Sequence, residues 1–298
     1  MKIFFHSSDL DGHASGAIVK FKYPGAELIG INYGQQFPFD KLNKDEIVFM
    51  VDFSLPIIEM LKLSSIVGGE KLIWIDHHKS AIDESNKRML SCNPEFTISF
   101  NQMCPGRREI GKGACELTWE YLFPDSEIPE AVRLLGRYDV WDLQKNVLEF
   151  QYGFRLNNTY PINQNFWSQY FDPETSNDHI EEIINDGKLV LKYQKQENYK
   201  YITSTAFETE IQNLKAIVSN KLLTSSQLFE SIWDENKYDL MITFGRRKDK
   251  TWTVSFYSTK SEIDCSEIAR HCLNSTTAGG HKGAAGATFK NFEDLPFN

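Results

Sequence analysis

The sequence predicts an α/β fold with an N-terminal parallel-sheet domain and a smaller C-terminal α/β domain. Short apolar runs alternate with helix-like stretches over the first ~80 residues. Each of three such runs (residues 2–5, 47–51 and 72–75) stops at Asp or His soon after its last apolar residue. Continuous apolar runs of this kind are typical of buried parallel strands, and their alternation with helices indicates crossover connections. A length of 298 residues favours about two domains.

The remaining elements follow in chain order. A further strand is predicted at residues 26–32, whereas the aromatic and Asn-rich residues 150–178 show no clear period. We expect a catalytic domain over residues 1–178, a linker helix over 179–205, and a second domain over 206–298. Other predicted helices and strands are helices at residues 112–123, 128–137 and 266–270 and strands at 215–218, 239–244 and 252–257.

The composition excludes several classes of protein. With 32 Lys+Arg against 41 Asp+Glu, the net charge is −9, which disfavours binding to long duplex nucleic acid. No apolar run approaches the ~20 residues that a membrane span needs. The N-terminus turns polar at His6, so we expect no secretory signal. Five cysteines without a C-x-x-C pair indicate reduced thiols and a cytoplasmic location.

The ends of the predicted strands carry the strongest functional signal. An isolated Asp after a strand is most simply a helix cap. Three strands in succession that end in acidic or His residues instead predict one site, because the carboxyl ends of parallel strands meet at one edge of the sheet. The residues concerned are His6, Asp9, Asp11, Asp52, Asp76, His77 and His78, with Asp139 as a further candidate.

These residue types favour a metal centre. Clustered carboxylates repel one another unless a cation lies between them. Carboxylate and imidazole ligands without thiolate suit Mn²⁺, with Mg²⁺, Co²⁺ or Fe²⁺ as alternatives. The number of ligands exceeds what one ion uses, so two ions about 3.5–4 Å apart and bridged by a carboxylate are expected. Such a pair would generate hydroxide for in-line attack at phosphorus. Asp9-Leu10-Asp11-Gly12 resembles part of a calcium loop, but Ile18 stands where the bidentate Glu should be, so that interpretation is excluded.

The Gly-rich residues 278–286 match neither a P-loop nor a dinucleotide-binding turn. They predict either a tight turn leading into a Gly-rich helix start, or an anion pocket of backbone N–H groups beside His281 and Lys282.

Taken together, the motifs resemble those of the DHH phosphoesterases. Asp76-His77-His78 is similar to the signature of that family, Asp9-x-Asp11-Gly12 to its first motif, Asp52 to its second and Asp139 to its fourth. Residues 279–286 resemble the substrate-binding motif of the DHH-associated C-terminal domain. The oligoribonuclease and 3′,5′-bisphosphonucleotide phosphatase members are closest in layout.

The resemblance implies a role for each motif residue. It implies one Mn²⁺ on His6, Asp9 and Asp52. A second would bind Asp11, Asp52, His77 and Asp139, with Asp52 bridging. Asp76 would orient His77, and His78 would donate to a phosphate oxygen. The second domain would close over a cleft between the domains. Its implied substrate-binding residues are Gly279, Gly280, His281, Lys282, Gly283 and Tyr257.

Three departures from the family pattern concern the substrate and one ligand. His6 stands three residues before Asp9, where many relatives have four. Tyr257 occupies the place of a phosphate-binding Arg, which would exchange a bidentate clamp for stacking on a base. Residues 274–277 lengthen the approach to the Gly-rich loop. Residues 246–248 (Arg-Arg-Lys) offer a replacement cation cluster, or more simply a solvated loop.

The function expected from these observations is a Mn²⁺-dependent phosphodiesterase or phosphatase for short nucleotides. Candidate substrates are short RNA oligomers, linear signalling dinucleotides, 3′-phosphoadenosine 5′-phosphate or an adenylated second messenger. The alternatives are a pyrophosphate or polyphosphate hydrolase and a non-hydrolytic nucleotide sensor. No membrane partner is expected, and a homodimer is possible.

Overall fold

A computed structural model of the protein describes residues 1–87, 98–172, 176–280 and 282–297, apart from the side chain of Ser176. The chain divides into two compact units, Met1–Leu191 and Lys192–Asn298. The first unit contains a parallel sheet and the second a mixed sheet, so the predicted α/β class is confirmed.

The parallel sheet holds all four strands that the sequence predicts for the first 80 residues. Its strands are β1 (Lys2–His6), β2 (Glu27–Ile31), β3 (Val48–Val51) and β4 (Leu72–Ile75). Within the described residues the strand order is β2-β1-β3-β4, and every neighbouring pair is parallel. The carboxyl ends of the four strands therefore lie along one edge.

Both faces of this sheet are buried, which explains why the strands are apolar without alternation. Ile3 and Phe5 join the apolar cluster on one face, while Phe4 between them joins the cluster on the other. In β3, Phe49 and Met50 divide in the same way. All five side chains are at most 1% exposed.

Helices cover the two faces. Their bounds are α1 (Leu10–Lys22), α2 (Ile57–Val67), α3 (Lys79–Lys87), α4 (Phe100–Met103), α5 (Ala114–Leu122), α6 (Glu130–Asp139), α7 (Val147–Phe154), α8 (Gln164–Phe171) and α9 (Ser176–Thr205). Single 3₁₀ turns occur at Phe39–Lys41 and Gly69–Lys71. The predicted helices at residues 112–123, 128–137 and 179–205 correspond to α5, α6 and α9.

Residues 150–178, for which the sequence shows no clear period, contain α8 and most of α7. Each helix has only eight residues, too few to show a clear helical period. Phe154 of α7 and Trp167 of α8 are fully buried in the core on one face of the sheet. Tertiary packing therefore stabilises these helices more than intrinsic propensity does.

The C-terminal unit is built on a mixed sheet. Its strands are β5 (Phe207–Ile211), β6 (Leu214–Asn220), β7 (Leu240–Arg246), β8 (Trp252–Tyr257), β9 (Thr277–Gly280) and β10 (Ala284–Phe289). In the described residues the order is β5-β6-β7-β8-β10-β9, with β6 and β7 parallel and the other pairs antiparallel. Helix α10 (Cys265–Arg270) packs on one face, and single 3₁₀ turns occur at Ser226–Phe229 and Phe292–Asp294.

Two features of this sheet differ from the expectations. Strand β5 was not predicted, because its three central residues (208–210) are all polar and three of its five residues are exposed. The Gly-rich segment does not start a helix. It forms the antiparallel hairpin β9–β10, in which Gly280 pairs with Ala285.

No described helix has both the length and the apolar character that crossing a membrane requires.

Candidate metal centre

The strand ends bring acidic and imidazole side chains to one edge of the parallel sheet. His6 is the last residue of β1, Asp52 directly follows β3, and Asp76, His77 and His78 directly follow β4. Asp52 has a left-handed backbone (φ 54°), a conformation that Asp tolerates better than most residues with a side chain. Because the strands are parallel, these side chains converge.

Helix α1 adds two carboxylates to the same edge. Asp9 caps the helix, and its carboxylate accepts the Gly12 N–H at 2.9 Å. Asp11 lies in the first turn. The helix begins so close to β1 that a Cβ at Gly12 would lie 2.0 Å from the His6 carbonyl oxygen. Glycine at this position is therefore needed to place Asp9 and Asp11 beside His6.

The ends of two other helices complete the cluster. Both carboxylate oxygens of Asp11 accept backbone N–H groups at the start of α5, from Ala114 at 2.7 Å and Cys115 at 2.9 Å. A helix N-terminus stabilises a carboxylate in this position. Asp139 is the last residue of α6. Burial, followed by the charge of Asp11, raises the pKa of Asp139 to about 7.

The side chains form two groups that share Asp52. In the first, His6 Nδ1 lies 2.8 Å from Asp9 Oδ2 and 3.6 Å from Asp52 Oδ2. In the second, His77 Nε2 lies 3.3 Å from Asp52 Oδ1, 3.1 Å from Asp139 Oδ2 and 3.8 Å from Asp11 Oδ2. In the triads His6–Asp9–Asp52 and Asp11–His77–Asp139, the potential ligand atoms lie within 4.8 Å of one another.

Within the described residues, three buried atoms of the cluster form no hydrogen bond of acceptable geometry, although other polar atoms of the cluster lie nearby: His6 Nδ1, Asp52 Oδ1 and His77 Nε2. A buried polar atom without a partner is costly. Burial, then the charges of Asp11 and Asp9, raises the pKa of Asp52 well above its ordinary value. Divalent cations would supply the missing partners and offset the repulsion. The residues therefore fit metal ions that prefer oxygen and imidazole ligands.

The expected partner of Asp76 is corrected by the structure. The fully buried Asp76 carboxylate holds the ring of His78, with 2.6 Å between Asp76 Oδ1 and His78 Nδ1, whereas only the backbone N–H of His77 donates to it, at 2.8 Å. The Trp74 indole N–H donates to its other oxygen at 3.2 Å. The turn after β4 directs the His77 ring toward Asp52 and the His78 ring back onto Asp76. Although burial lowers it, the bond to Asp76 raises the pKa of His78.

Tyr33 is a residue of this edge that the sequence reasoning missed. Its side chain is exposed (53%), and its ring centroid lies 5.4 Å from that of His6, 4.6 Å from Phe53 and 6.1 Å from His78. The signal that could have identified it is its position. Tyr33 follows β2 at the same edge of the sheet, but it is neither acidic nor a histidine, the residue types that indicate a metal site.

The predicted substrate-binding residues lie in the C-terminal unit. Gly279 and Gly280 end β9 and are exposed, and Lys282 and Gly283 precede β10. His281 lies outside the described residues. The Tyr257 hydroxyl donates to the Thr224 carbonyl at 3.2 Å, and its ring packs against an apolar cluster, so its contacts are within the unit.

Comparisons with known proteins agree with this architecture. No protein-family model matches the chain. An uncharacterised protein, R106, of Acanthamoeba polyphaga mimivirus is 26% identical over an alignment of 289 positions that covers 89% of this chain and 58% of that protein. The chain thus spans little more than half the length of this curated relative.

Two solved structures share the fold. One is PggH of Vibrio cholerae, described as a pGpG-specific phosphodiesterase, with 14% identity, a TM-score of 0.53 and coverage of 98% of this chain and 94% of PggH. The other is the DHH domain of a protein described as a member of a ribosomal-protein family, with 13% identity, a TM-score of 0.55 and coverage of 97% and 82%. The chain therefore has the fold of the DHH-domain proteins, which confirms the resemblance at the level of the fold.

Proposed function

We propose that this protein is a divalent-metal-dependent hydrolase of phosphate esters in short nucleotides. The observation that carries the proposal is the cluster of carboxylates and imidazoles sharing Asp52, in which three buried ligand atoms form no hydrogen bond of acceptable geometry within the described residues. The fold shared with PggH supports the same class of reaction, because PggH is described as a phosphodiesterase.

We propose the metal ligands from the two triads. His6, Asp9 and Asp52 would hold one ion, and Asp11, His77 and Asp139, with Asp52 shared, would hold the other. Bound there, divalent ions would supply Lewis-acid chemistry, lowering the pKa of water and offsetting the charge on phosphate. We propose Mn²⁺ as the resident ion, with Mg²⁺ and Co²⁺ as alternatives.

His78, held in place by Asp76, would contact the phosphate group. Asp76 fixes the orientation of the imidazole through Nδ1, and the raised pKa of His78 favours the protonated ring. A protonated ring held in this way would donate a hydrogen bond to a non-bridging phosphate oxygen and stabilise the charge that develops in the transition state. Asp76 is therefore a positioning residue.

A short nucleotide is the substrate class that fits best. The net charge of −9 disfavours a long polyanion held by general electrostatics, whereas a few phosphates can be bound by metal ions. Linear dinucleotides come first because the described substrate of PggH is one. Short RNA oligomers, 3′-phosphoadenosine 5′-phosphate and an adenylated messenger follow. A cytoplasmic location and a homodimer stay predictions.

A substrate panel tests this proposal. The protein with Mn²⁺, Mg²⁺ or Co²⁺ is offered pGpG, a short RNA oligomer, 3′-phosphoadenosine 5′-phosphate, pyrophosphate and polyphosphate. We expect mononucleotide release that Asp52→Asn abolishes and Asp83→Asn leaves intact, because Asp83 lies on α3 and pairs only with Lys79, at 3.1 Å, among the described residues. Turnover of pyrophosphate or polyphosphate alone would identify the anhydride hydrolase, and nucleotide binding without turnover would identify the sensor.

A further inference from the structure

A pocket lies within the C-terminal unit, between the segment of residues 221–224 and one face of the mixed sheet. Its volume is about 300 Å³, at the lower end of the range for small-molecule sites. Its principal lining residues are Lys221, Leu222, Thr243, Arg247, Thr253 and Ser255. No carboxylate lines it in the part of the chain that the structure describes.

The strand register explains why hydroxyl groups line this pocket. Thr243 of β7 pairs with Ser255 of β8, and Gly245 of β7 pairs with Thr253 of β8. Paired residues, and residues two apart on one strand, share a face of a sheet. The three hydroxyl side chains therefore lie on the same face, opposite the face on which α10 packs.

Two of these hydroxyl groups lack partners. Thr253 Oγ1 is buried and has no hydrogen bond. Thr243 is only 4% exposed and lines the pocket, yet its side chain forms no hydrogen bond with the described residues. Buried hydroxyl groups are normally hydrogen-bonded, so the hydroxyl groups of Thr253 and Thr243 are free to donate hydrogen bonds to a ligand that has acceptor oxygens.

The pocket wall is held in place before any ligand binds. Leu222 packs directly on Gly245, where a Cβ would lie 2.5 Å from Leu222 Cγ, so glycine is required there. The Tyr257 hydroxyl donates to the Thr224 carbonyl at 3.2 Å and fixes the far end of the segment. This contact gives Tyr257 a role in shaping the pocket.

Two cations provide the charge. Lys221 Nζ donates to Asn198 Oδ1 at 2.9 Å, which leaves two ammonium hydrogens for other acceptors. Arg247 lines the pocket from the turn between β7 and β8 and is exposed. The nearby Asp249 carboxylate accepts from Thr251 and does not line the pocket.

We infer that this pocket binds a phosphate group, with Lys221 and Arg247 supplying charge and Thr243, Thr253 and Ser255 supplying hydroxyl donors. Arg and Lys with hydroxyl groups are the donors that bind phosphate in proteins. The apolar Leu222 at the edge would contact a nucleoside attached to that phosphate. The inference does not rest on the proposed hydrolysis.

Calorimetric titration of the full-length, metal-free protein tests the inference. The probes are inorganic phosphate, AMP and adenosine, with EDTA present so that the metal centre cannot bind phosphate through an ion. We expect phosphate and AMP to bind and adenosine not to. Equal affinities for phosphate and AMP would mean that the pocket contacts the phosphate group alone. Tighter binding of AMP would mean that the nucleoside also contributes.

Substitutions locate the binding. Arg247→Met and Lys221→Met should each weaken AMP binding about tenfold or more, as loss of a charge-assisted hydrogen bond does. Lys248→Met is the matched control and should have no effect, because Lys248 does not line the pocket. Thr243→Val should weaken binding and Thr243→Ser should retain it, with unchanged melting temperatures. Absence of phosphate and AMP binding, or equal losses in Arg247→Met and Lys248→Met, would overturn the inference.

Discussion

The two units of the molecule differ in charge and in the charge of the ligand that each would bind. Residues 1–191 carry 18 basic and 28 acidic side chains, a net charge of −10, whereas residues 192–298 carry 14 basic and 13 acidic side chains, a net charge of +1. The N-terminal unit gathers Asp9, Asp11, Asp52 and Asp139 around two imidazoles. The C-terminal unit gathers neutral hydroxyl groups and two cations around a pocket. The first group of side chains fits cations, whereas the second already has the charges and donors that an anion would need.

The comparison shows that the interaction which destabilises an empty site indicates the kind of ligand that would stabilise it. Like charges in a buried cluster destabilise the fold until a cation neutralises them, since neither burial nor their neighbours favour ionisation. A hydroxyl group without a partner costs much less and needs only an acceptor.

Asp52→Asn should break the N-terminal site and leave the C-terminal site intact. Because Asp52 belongs to the first triad and its Oδ1 lies 3.3 Å from His77 Nε2 of the second, its loss should reduce metal-dependent hydrolysis by more than about 100-fold, a larger loss than is expected for a residue that only orients a ligand. Phosphate binding by the metal-free protein should not change. Turnover assays and calorimetry on the same preparation measure both effects, and hydrolysis that survives the substitution would contradict the assignment.

Asp76→Asn and His78→Gln should have similar effects, because Asp76 acts through the His78 ring. Each should reduce kcat about 10- to 100-fold with little change in KM. The double variant should lose no more than the larger single loss, since residues acting as one unit are not additive. A full double-mutant cycle measures this coupling. Additive losses, or losses confined to KM, would show that Asp76 does not position His78.

Much of the candidate metal centre could be predicted because His6 ends an apolar strand and Asp52 and residues 76–78 directly follow apolar strands. The chain order of β1, β3 and β4 and their parallel pairing convert three sequence positions into one edge. The pairing of Asp76 with His78 could not be predicted, because it depends on the turn that follows β4. The backbone dihedral angles of that turn decide whether the His77 ring or the His78 ring contacts the Asp76 carboxylate.

The features that were missed depend on tertiary context. Helices α7 and α8 are stabilised by buried aromatic residues such as Trp167, and the Gly-rich segment is a hairpin because it pairs with β8. The phosphate pocket depends on register, since Thr243 and Ser255 are twelve residues apart in sequence. Local patterns contain none of this information. Arg247 was visible in the sequence only as part of a basic loop.

Tyr33→Ala tests whether the exposed ring at the metal edge contacts the substrate. Stacking of a base on an aromatic ring contributes about 1–3 kcal/mol, so KM for a dinucleotide should rise about fivefold or more while kcat changes little. Tyr33→Phe should retain the wild-type KM, because it keeps the ring. Steady-state kinetics with pGpG and with bis(p-nitrophenyl) phosphate, which has no base, separate stacking from a general effect. Equal changes for both substrates would exclude stacking.

The metal-free protein should lose stability as the pH rises, which distinguishes a repulsive carboxylate cluster from an ordinary surface. The pKa of Asp139 is raised to about 7 by burial and by Asp11, and that of Asp52 is raised for the same reasons. The folded state therefore binds extra protons above the unfolded carboxyl pKa of about 4, and this stability is lost as the pH rises through about 7. His6 acts in the same direction. Burial lowers its pKa, but Asp52 and Asp9 raise it to about 10, so its contribution is complete below about 6.5 and is lost on approach to pH 10.

Between pH 5 and 8 the free energy of unfolding should fall by on the order of 2 kcal/mol, which corresponds to about 5 °C in Tm for a chain of this length. Mn²⁺ should raise Tm more at pH 8 than at pH 5, because at the lower pH it must displace protons. Thermal unfolding across this range, with EDTA or Mn²⁺, measures both slopes. Asp52→Asn should flatten the metal-free slope and Asp83→Asn should keep it. A metal-free Tm that rises with pH would show that the cluster is not repulsive, and the contrast between the two units would then fail.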